Sequence, residues 1–401
     1  MTRLSDKTDP RLGQADGYEL RACAQDAQRV DAFIPSPCIQ NHAANLHVLA
    51  DGTVLCVWFG GTQEGIADIS VYCSRLPVGA TAWTMPVRLS DDPTRSEQNP
   101  ILFEAPDATL WLIWTAQIAG NQDTAFIRRR LSKDGGQSWG EIETLFDAVG
   151  SSGVFVRQPP ITLQNGDLLL PLWYCHSRPG ERWVGNYDTS AVRISSDHGK
   201  SWSEYEVPGS LGCVHMGCEQ LADGSLLALF RSRWADFIYE SRSYDNGRTW
   251  SEPVAGSLPN NNSSIQFTTL RDHRLALVFN DISAKDSSDR RASLYDDLGD
   301  DESGRIDPVA RAGEKAAVWG VPRAPMTLAL SSDAGKNWVK RNLEIGDGYC
   351  LTNNSKDGLN REFSYPSIKQ GPDGDLHIAY TYHRRLIKYV RLKLDWMSSG
   401  F

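Results

Sequence analysis

Polar and titratable side chains recur at the ends of short apolar segments in this sequence, where a β fold would gather them at one face. Histidine, with an unperturbed pKa of about 6.5, can exchange protons near neutral pH. Arginine binds carboxylates through charge-assisted, often bidentate hydrogen bonds, and an acidic side chain can protonate a leaving oxygen. The candidates at segment starts are Asn41, His42, Gln98, Asn99, Arg157, Gln158, His215, Asn262, Ser263, Glu362 and Tyr365. The candidates that follow the next segment are Glu64, Asp68, Gln117, His176, Arg231, Arg233, Asn280, Asp281, Tyr382, His383 and Arg384.

Several of these candidates also have a purely structural interpretation. His42 could be a satisfied core histidine, and Tyr365 could be a buried strand tyrosine. A salt bridge to Glu64 or Asp68 is the structural interpretation of either Arg231 or Arg233. The gathering of histidines, arginines and an acidic pair at one predicted face nevertheless favours a functional site.

An octapeptide that recurs four times identifies the elements that position these residues. Its aspartate can accept backbone N–H groups inside a tight turn, its glycine can take a positive φ, and its tryptophan can pack back under a sheet. The copies are Ser132–Trp139, Ser195–Trp202, Ser243–Trp250 and Ser331–Trp338. Four copies predict a repeat architecture.

A second repeat consists of hairpin signals between short apolar runs. Asn-Gly and Asp-Gly are the strongest short-range signals for a β-hairpin. The six positions are Asp51-Gly52, Asp107-Ala108, Asn165-Gly166, Asp223-Gly224, Asp272-His273 and Asp373-Gly374. Six units of about 50 residues, each with four strands, are typical of a six-bladed β-propeller.

The whole chain, 1–401, is therefore expected to form one all-β propeller domain. The expected blades span roughly 40–90, 98–148, 157–208, 213–258, 263–345 and 362–396. The last unit has only three strands, so an N-terminal strand within 17–30, near 18–23, should complete it and close the ring. Closure removes the sheet edges that would otherwise invite aggregation.

Two connections are unusually long and fall on the face opposite the hairpins. They are 175–189 in blade 3 and an insertion at 283–322 in blade 5. Long loops in compact folds often cover binding sites. Trp183 and Trp319 in these loops could stack on sugars, although simple packing explains them equally well. We expect 286–304 to be a solvated loop.

Composition excludes several classes of function. A net charge of -9 argues against a nucleic-acid surface, which needs clustered Lys and Arg. No apolar run of about 18 residues exists, so no membrane span is expected. The start of the chain lacks the apolar run of a secretory signal. The eight cysteines form no CxxC pair, so thiols in the cytoplasm are the expectation.

The octapeptides resemble the Asp-box, or BNR repeat, of the sialidase-like superfamily, and with the six hairpins the resemblance covers nearly the whole chain. Sialidases share an arginine triad for the substrate carboxylate, a Tyr–Glu nucleophile pair and an Asp acid/base. The resemblance implies that Arg231 matches the second arginine and Tyr365, in Phe363-Ser-Tyr-Pro, the tyrosine. Glu64 and Asp68 lie where the acid/base belongs.

Two positions depart from the sialidase pattern. The first arginine belongs to a Phe-Arg-Ile-Pro motif, whereas this chain reads Phe33-Ile34-Pro35. The position of the sialidase glutamate is His215, which could replace it as the base that activates Tyr365. These departures indicate a divergent branch of the superfamily.

Three functions fit the sequence, and none needs a cofactor. The first is an exo-acting glycosidase for an acidic sugar, in which Arg231, with Arg157 or Arg384, clamps the carboxylate and Tyr365 attacks the anomeric carbon. The second is a lyase on a uronic acid that uses a His or Tyr base. The third is a propeller that binds glycan or protein without turnover. A metal held by histidines has little support, because no ligand spacing is present.

Overall fold

The apolar segments on either side of each hairpin signal form the strands of six antiparallel sheets. The computed structural model describes residues 15–24, 26–298 and 304–398. The predicted all-β, six-bladed propeller is confirmed, and each sheet is one blade. Short 3-10 helices lie at Ala15–Tyr18, Ala284–Asp286 and Leu394–Ser398. Within the described ranges, no helix has the length and apolar character needed to cross a membrane.

The strands are numbered in chain order. They are β1 (Arg21–Cys23), β2 (Asp26–Ile34), β3 (Gln40–Val48), β4 (Val54–Gly61), β5 (Ser70–Leu76), β6 (Val87–Arg88), β7 (Ser96–Glu104), β8 (Leu110–Ile118), β9 (Asn121–Ser132), β10 (Glu143–Phe146), β11 (Gly153–Phe155), β12 (Ile161–Thr162), β13 (Leu168–Cys175), β14 (Thr189–Ser195), β15 (Ser203–Glu206), β16 (Cys213–Gln220), β17 (Leu226–Ser232), β18 (Phe237–Ser243), β19 (Val254–Pro259), β20 (Gln266–Thr269), β21 (Leu275–Asn280), β22 (Met326–Ser331), β23 (Val339–Glu344), β24 (Phe363–Gln370), β25 (Leu376–Tyr382) and β26 (Leu386–Leu392).

Four blades contain four consecutive strands each: β3–β6, β7–β10, β16–β19 and β20–β23 form blades 1, 2, 4 and 5. Blade 3 contains β13, β14 and β15, and its first strand is split into β11 and β12, which both pair with β13. Pro159 and Pro160 lie at the split, where the absence of their N–H groups interrupts the ladder. The first strands β24, β3 and β7 contact one another in succession, so they lie toward the centre of the ring.

The ring closes through β2, which pairs with β26 from Arg29↔Leu392 to Ile34↔Ile387. Closure by an N-terminal strand is therefore confirmed, but the strand lies later than 18–23. The short β1 pairs with the outer side of β2 as a fifth strand. Burial explains the choice, because Phe33 and Ile34 at the end of β2 are about 1 % exposed.

Six clusters of buried apolar side chains hold neighbouring blades together. Each cluster combines residues of two adjacent sheets, as Val57 of blade 1 packs with Leu112 and Trp114 of blade 2. The cluster between blades 6 and 1 contains Trp58 and Tyr389. Every blade thus shares an apolar cluster with each of its two neighbours, so these contacts run around the whole ring.

The octapeptides form the tight turns that the sequence predicts. In the second copy, the Asp197 carboxylate accepts hydrogen bonds from the backbone N–H groups of Lys200 and Ser201 at 3.0 and 2.9 Å. Ser195 Oγ accepts from the N–H of Gly199 at 2.7 Å. The hydrogen bonds from Ser201 lower the pKa of Asp197, so the turn uses the ionised carboxylate.

The two long connections pack against each other on one face. Arg182 N donates to Ile306 O at 2.8 Å. The expectation of a solvated loop at 286–304 is wrong for part of the segment: Leu294 is 5 % exposed, and the hydroxyl of Tyr295 accepts a hydrogen bond from Gln117 at 3.0 Å. The loop is ordered there because it buries apolar side chains against Trp183 and Trp319.

Gly199→Ala should destabilise the protein more than Gly166→Ala. Both glycines have positive φ, so each substitution carries a backbone cost of about 1–2 kcal/mol. A Cβ at Gly199 would lie 2.2 Å from the ring of Trp111, whereas a Cβ at Gly166 meets nothing within 4 Å. The clash adds about 1–3 kcal/mol. Chemical denaturation measures both variants, and equal losses would contradict the packing of Trp111 beneath this turn.

Candidate active site

One residue near the start of the first strand has a left-handed backbone in five of the blades. These residues are Ala43, Asn99, His215, Asn262 and Tyr365, with φ of 60, 51, 52, 55 and 51°. The pairing register of the strand shifts beside four of them, which marks a β-bulge. Bulges re-aim a side chain and are over-represented next to active sites. The repeated bulges therefore place His215 of blade 4 and Tyr365 of blade 6 at equivalent positions around the centre.

Tyr365 and His215 meet at a single arginine. Arg231 Nη1 donates to the hydroxyl of Tyr365 at 2.7 Å and lies 3.2 Å from His215 Nε2. Asn262 Oδ1 accepts from Arg231 Nε at 2.8 Å and fixes the guanidinium. The rings of His215 and Tyr365 are 5.5 Å apart in an edge-to-face arrangement. The structure thus brings together three residues that the sequence placed on three different segments.

The contact with Arg231 determines the protonation of His215. Arginine has only donors, so His215 Nε2 must accept, and the proton of the neutral ring lies on Nδ1. Burial, followed by the charge of Arg231, holds the pKa of His215 well below its usual value. Its Nδ1 is buried and has no partner in the described part of the chain. His215 is therefore a neutral imidazole with a proton acceptor aimed at the arginine.

His42 lies on the other side of the tyrosine. Its ring centroid is 4.1 Å from that of Tyr365, and its Nδ1 contacts Thr381 Oγ1 at 2.8 Å. Its Nε2 is buried and makes no hydrogen bond to any described residue. Burial and the charge of Arg384 hold the pKa of His42 well below its usual value. A second neutral histidine thus adjoins the same tyrosine.

A buried carboxylate network lies next to this group. Glu362 Oε1 accepts from Arg323 Nη1 at 2.8 Å and from Arg384 Nε at 3.0 Å. Arg384 Nη1 also donates to Glu64 Oε2 at 2.5 Å. Burial alone would raise the pKa of Glu362, but the charges of Arg323 and Arg384 hold it well below its usual value. Arg384 is therefore committed to two carboxylates of the protein itself.

Two other arginines are buried without a carboxylate partner within the described residues. Arg157 and Arg231 are each 1 % exposed, and their side chains bind backbone carbonyl, hydroxyl, amide and imidazole groups instead. Burial lowers the pKa of Arg231 to about 9 and that of Arg157 to about 10. Both guanidinium carbons lie over the ring of Tyr365, at 5.7 and 5.3 Å from its centroid. No carboxylate of the described residues therefore neutralises the positive charge of these two arginines.

Arg157 and Arg231 differ in what they can still bind. Arg157 Nη2 donates to the carbonyl oxygens of Ala44, Tyr365 and Pro366 at 2.9–3.1 Å, which ties the centre of the ring together. Arg231 contacts the tyrosine hydroxyl itself. The Cζ atom of Arg323 lies 5.6 Å from the centroid of the same ring. An anion beside the Tyr365 hydroxyl would thus contact Arg231, while Arg157 Nη1, which is buried without a partner among the described residues, lies near the same ring.

Several predicted site residues lie outside this group. Asp68 is exposed and accepts from the backbone N–H of Thr62 at 3.1 Å, so Glu64 is the acidic residue that joins the buried network. His176 binds Ser152 and Thr189 with its two ring nitrogens. Asp68 thus bonds to the backbone of its own connection, and His176 bonds to the hydroxyls at Ser152 and Thr189.

The remaining predicted residues mainly pack the fold. His383 stacks on Tyr382 at 4.1 Å between centroids, in contact with Phe363. Gln158 Nε2 donates to Ile265 O at 2.5 Å. Asn99 is buried at its bulge, and its Oδ1 has no partner among the residues that the structure describes.

Arg233 forms a buried ion pair with Asp188 rather than with Glu64 or Asp68. Its Nε and Nη2 donate to Asp188 Oδ2 at 2.9 and 2.7 Å. The guanidinium lies over the rings of Trp183 and Trp319, at 5.3 and 5.2 Å. Both tryptophans are at most 5 % exposed. They pack the loops around this ion pair.

The sequence gives no signal for the roles of Arg323 and Asp188. Arg323 follows the long insertion directly, and Asp188 lies at the end of the other long loop, so neither has a repeat position that would reveal it. Glu362 is one of the candidates at segment starts, but the sequence does not reveal its partners Arg323 and Arg384. Within the described ranges, no group of three or more His, Cys, Asp or Glu side chains could hold a metal ion.

Comparisons with known proteins agree with this architecture. A family model described as a BNR repeat-like domain matches residues 52–378. No curated protein sequence matches the chain. The fold is similar to that of the Hadza microbial sialidase Hz136, with a TM-score of 0.66 and 14% identity over 89% of this chain and 66% of that one. It is also similar to the intramolecular trans-sialidase from Ruminococcus gnavus, with a TM-score of 0.62 and 12% identity over 90% of this chain and 96% of that one.

A protein of unknown function from Dyadobacter fermentans is a further match, with a TM-score of 0.65 and 14% identity over 90% of this chain and 97% of that one. At these identities the likeness establishes the fold. The chemistry depends on the residues of this chain.

The pH dependence of stability should fall when His215 is replaced. The folded pKa lies well below the unfolded value of about 6.5, so below that pH the unfolded chain takes up a proton that the folded chain refuses. The contribution of neutral His215 to the free energy of unfolding is fully present above pH 6.5. Protonation of this histidine in the unfolded chain should lower the free energy of unfolding by about 2 kcal/mol between pH 6.5 and 5. Chemical denaturation across this range should show that the free energy of unfolding depends less steeply on pH in His215→Gln than in the wild-type protein. The matched control is His273→Gln, at an exposed turn, and equal slopes for the two variants would contradict a buried neutral His215.

Proposed function

The chain belongs to the BNR repeat-like family, and on this premise we propose that it is an exo-acting glycosidase for a sugar that carries a carboxylate. The observation that carries the proposal is Arg231: a buried cation with no carboxylate of its own among the described residues, bonded to a tyrosine hydroxyl at 2.7 Å. A buried charge without a partner costs several kcal/mol. A ligand carboxylate would supply the missing anion.

The position of Arg231 also says where the ligand lies. A carboxylate held by Arg231, with Arg323 beside it, would place the adjoining carbon of the sugar next to the hydroxyl of Tyr365. In a sugar whose carboxylate is attached to the anomeric carbon, that carbon is the reaction centre. A neutral tyrosine suits such a centre, because an anionic nucleophile would be repelled by the carboxylate.

Tyr365 and Glu64 would perform the two halves of the reaction. The oxygen of Tyr365 attacks the anomeric carbon while its proton passes to Nε2 of the neutral His215, the ring nitrogen that carries no proton, and Arg231 stabilises the negative charge that develops on the phenolic oxygen. The bond to the leaving oxygen breaks, and that oxygen takes a proton from Glu64. Glu64 pairs with Arg384 through Oε2, so it would have to take up this proton on Oε1 before the bond breaks. Water then hydrolyses the sugar–tyrosine bond and returns the protons, a scheme of the kind that tyrosine nucleophiles use.

A lyase acting on a uronic acid is the second candidate, and the two neutral histidines favour it. His42 Nε2 is buried without a partner among the described residues, and His215 carries its free lone pair on Nε2, beside Arg231. A neutral imidazole can remove a proton through such a nitrogen. Here the base would take the proton beside the carboxylate, Arg231 would neutralise the acid, and the bond to the leaving oxygen would break to give a carbon–carbon double bond.

The expected compartment follows from thiol chemistry. All eight cysteines are free thiols, six of them buried. Free thiols persist where the environment is reducing. We therefore place the enzyme in the cytoplasm, where it would act on imported oligosaccharides.

Arg231→Lys should weaken the binding of acidic sugars at least tenfold, because lysine cannot reproduce the paired N–H donors of a guanidinium. Calorimetric titration with N-acetylneuraminic acid and with glucuronic acid measures the loss. The control is Arg129→Lys, an arginine of β9 that pairs with Glu143 at 2.8 Å. Unchanged binding in Arg231→Lys would remove the basis of the proposal.

Tyr365→Phe should abolish turnover while acidic sugars still bind. Phenylalanine keeps the ring that packs against Ala43 and His42 but lacks the nucleophilic oxygen. The assay follows reducing sugar and the ultraviolet absorbance of an unsaturated product on sialosides and uronides. Release of reducing sugar by the wild-type protein without a rise in absorbance, and no release by Tyr365→Phe, would support the hydrolase.

The same assay separates the other candidates. If the wild-type protein produces both reducing sugar and ultraviolet absorbance, and His215→Gln produces neither, the enzyme is the lyase. Silence of the wild-type protein on the whole panel, with binding retained, would leave a glycan-binding propeller and contradict the enzyme.

A further inference from the structure

A cleft of about 460 Å³ adjoins the carboxylate network on the side of Glu64. Its wall includes Ser355, whose hydroxyl accepts from Gln40 Nε2 at 2.9 Å. Gln40 Oε1 in turn accepts from the backbone N–H of Glu64 at 2.5 Å. Arg385, also in the wall, directly follows Arg384, the partner of Glu64. Two buried side chains, Ser355 and Gln40, therefore link the wall of the cleft to the backbone of Glu64.

The lining of the cleft combines two cations with aromatic and aliphatic surface. Lys356 and Arg385 are exposed, and neither pairs with a carboxylate within the residues that the structure describes. Tyr18 is half-buried, and Ile39 is 47 % exposed. These side chains offer a sugar an aromatic ring and an apolar face, and offer an anion two free charges.

The proposed reaction determines which part of the substrate would face the cleft. Glu64 protonates the oxygen of the leaving group, so the sugar attached to that oxygen must lie beside Glu64. The terminal sugar occupies the other side, at Tyr365 and Arg231. The leaving sugar would thus extend from Glu64 over the buried Gln40 and Ser355 toward the cleft.

We propose that this cleft is a subsite for an anionic group on the leaving-side sugar, so that the preferred substrates carry acid groups on two successive units. This inference rests on the proposed function, because Glu64 sets the direction of the leaving group. The two arginines nearest to Glu64 and Glu362, Arg384 and Arg323, are already neutralised by them. Lys356 and Arg385 are the cations of this cleft that remain for a second anion in a chain of net charge -9.

The test compares three ligands that share one terminal acidic sugar, on the Tyr365→Phe background so that turnover plays no part. N-acetylneuraminic acid is linked to galactose, to a second N-acetylneuraminic acid, or to sulfated galactose. The uronide counterparts replace these if the first screen identifies a uronic acid. Calorimetry gives the preference for a charged over a neutral second sugar.

The double variant Lys356→Gln/Arg385→Gln should reduce this preference about threefold to tenfold, as expected for the loss of two exposed charge pairs. The preference should also shrink with added salt. If the double variant loses the preference equally for the ligand with a second carboxylate and for the ligand with a sulfate, the subsite accepts either anion. If it loses the preference for one of these ligands alone, the anionic group of that ligand is the one that the subsite binds. The matched control is Lys133→Gln/Lys336→Gln, two exposed lysines of the Asp-box turns, which should keep the wild-type preference.

Two outcomes would overturn the subsite while leaving the proposed function intact. One is a protein that binds all three ligands with equal affinity. The other is a double variant that keeps its preference for a charged second sugar. Failure of all three ligands to bind would instead contradict the carboxylate site at Arg231. Since Lys356 and Arg385 are exposed, their replacement should leave the fold unchanged, and thermal melting checks this.

Discussion

The uncompensated burial of arginine is the constraint on which the centre of this protein depends. A guanidinium removed from water costs several kcal/mol unless an anion or a set of acceptors replaces its hydration. The centre buries Arg157, Arg231, Arg233, Arg323 and Arg384, and among the described residues only Glu64, Asp188 and Glu362 lie between them as carboxylate partners. Three arginines are paired there, Arg157 binds backbone carbonyls through Nη2 but keeps a buried Nη1 without a partner among the described residues, and Arg231 bonds to a tyrosine. The excess of charge makes this centre a place for an anion, and Tyr365 is the nucleophilic side chain beside it.

The propeller provides this arrangement through its geometry. Hydrophobic clusters between neighbouring blades hold the sheets, and the first strands meet around the centre. A left-handed residue near the start of each of five first strands turns one side chain inward at a small backbone cost. This left-handed position is therefore occupied by different residues in different blades: an alanine, two asparagines, a histidine and a tyrosine. Chemical function then depends on which residue type occupies each of these positions, while the architecture stays the same.

The fold could be predicted from the sequence because its signals are local. Each hairpin and each Asp-box turn is determined by a few adjacent residues, and six repeats leave little choice of architecture. The closing strand was expected too early, since the apolar run at Ala32–Ile34 outweighs the shorter one near Leu20. The partners of the site could not be predicted in the same way. Arg233 had two plausible carboxylates nearby in the blade 1 loop, yet it pairs with Asp188 of a loop from blade 3. Arg323 reaches the centre only because a long insertion ends directly before it. Asp68 and Glu64 lie on one short connection, and only the fold of that connection shows that Glu64 turns inward while Asp68 binds Thr62.

Titration of the wild-type protein with an acidic sugar and with its methyl ester tests the central claim most directly. The two ligands differ only in the charge and hydrogen-bonding capacity of one group, so the ratio of their dissociation constants isolates the contribution of the anion. If the excess positive charge at Arg231 is what binds the ligand, the free acid should bind at least about 100-fold more tightly than the ester, a difference of about 2.7 kcal/mol. Equal affinities for the acid and the ester would contradict the account, because the buried arginines would then serve the fold alone.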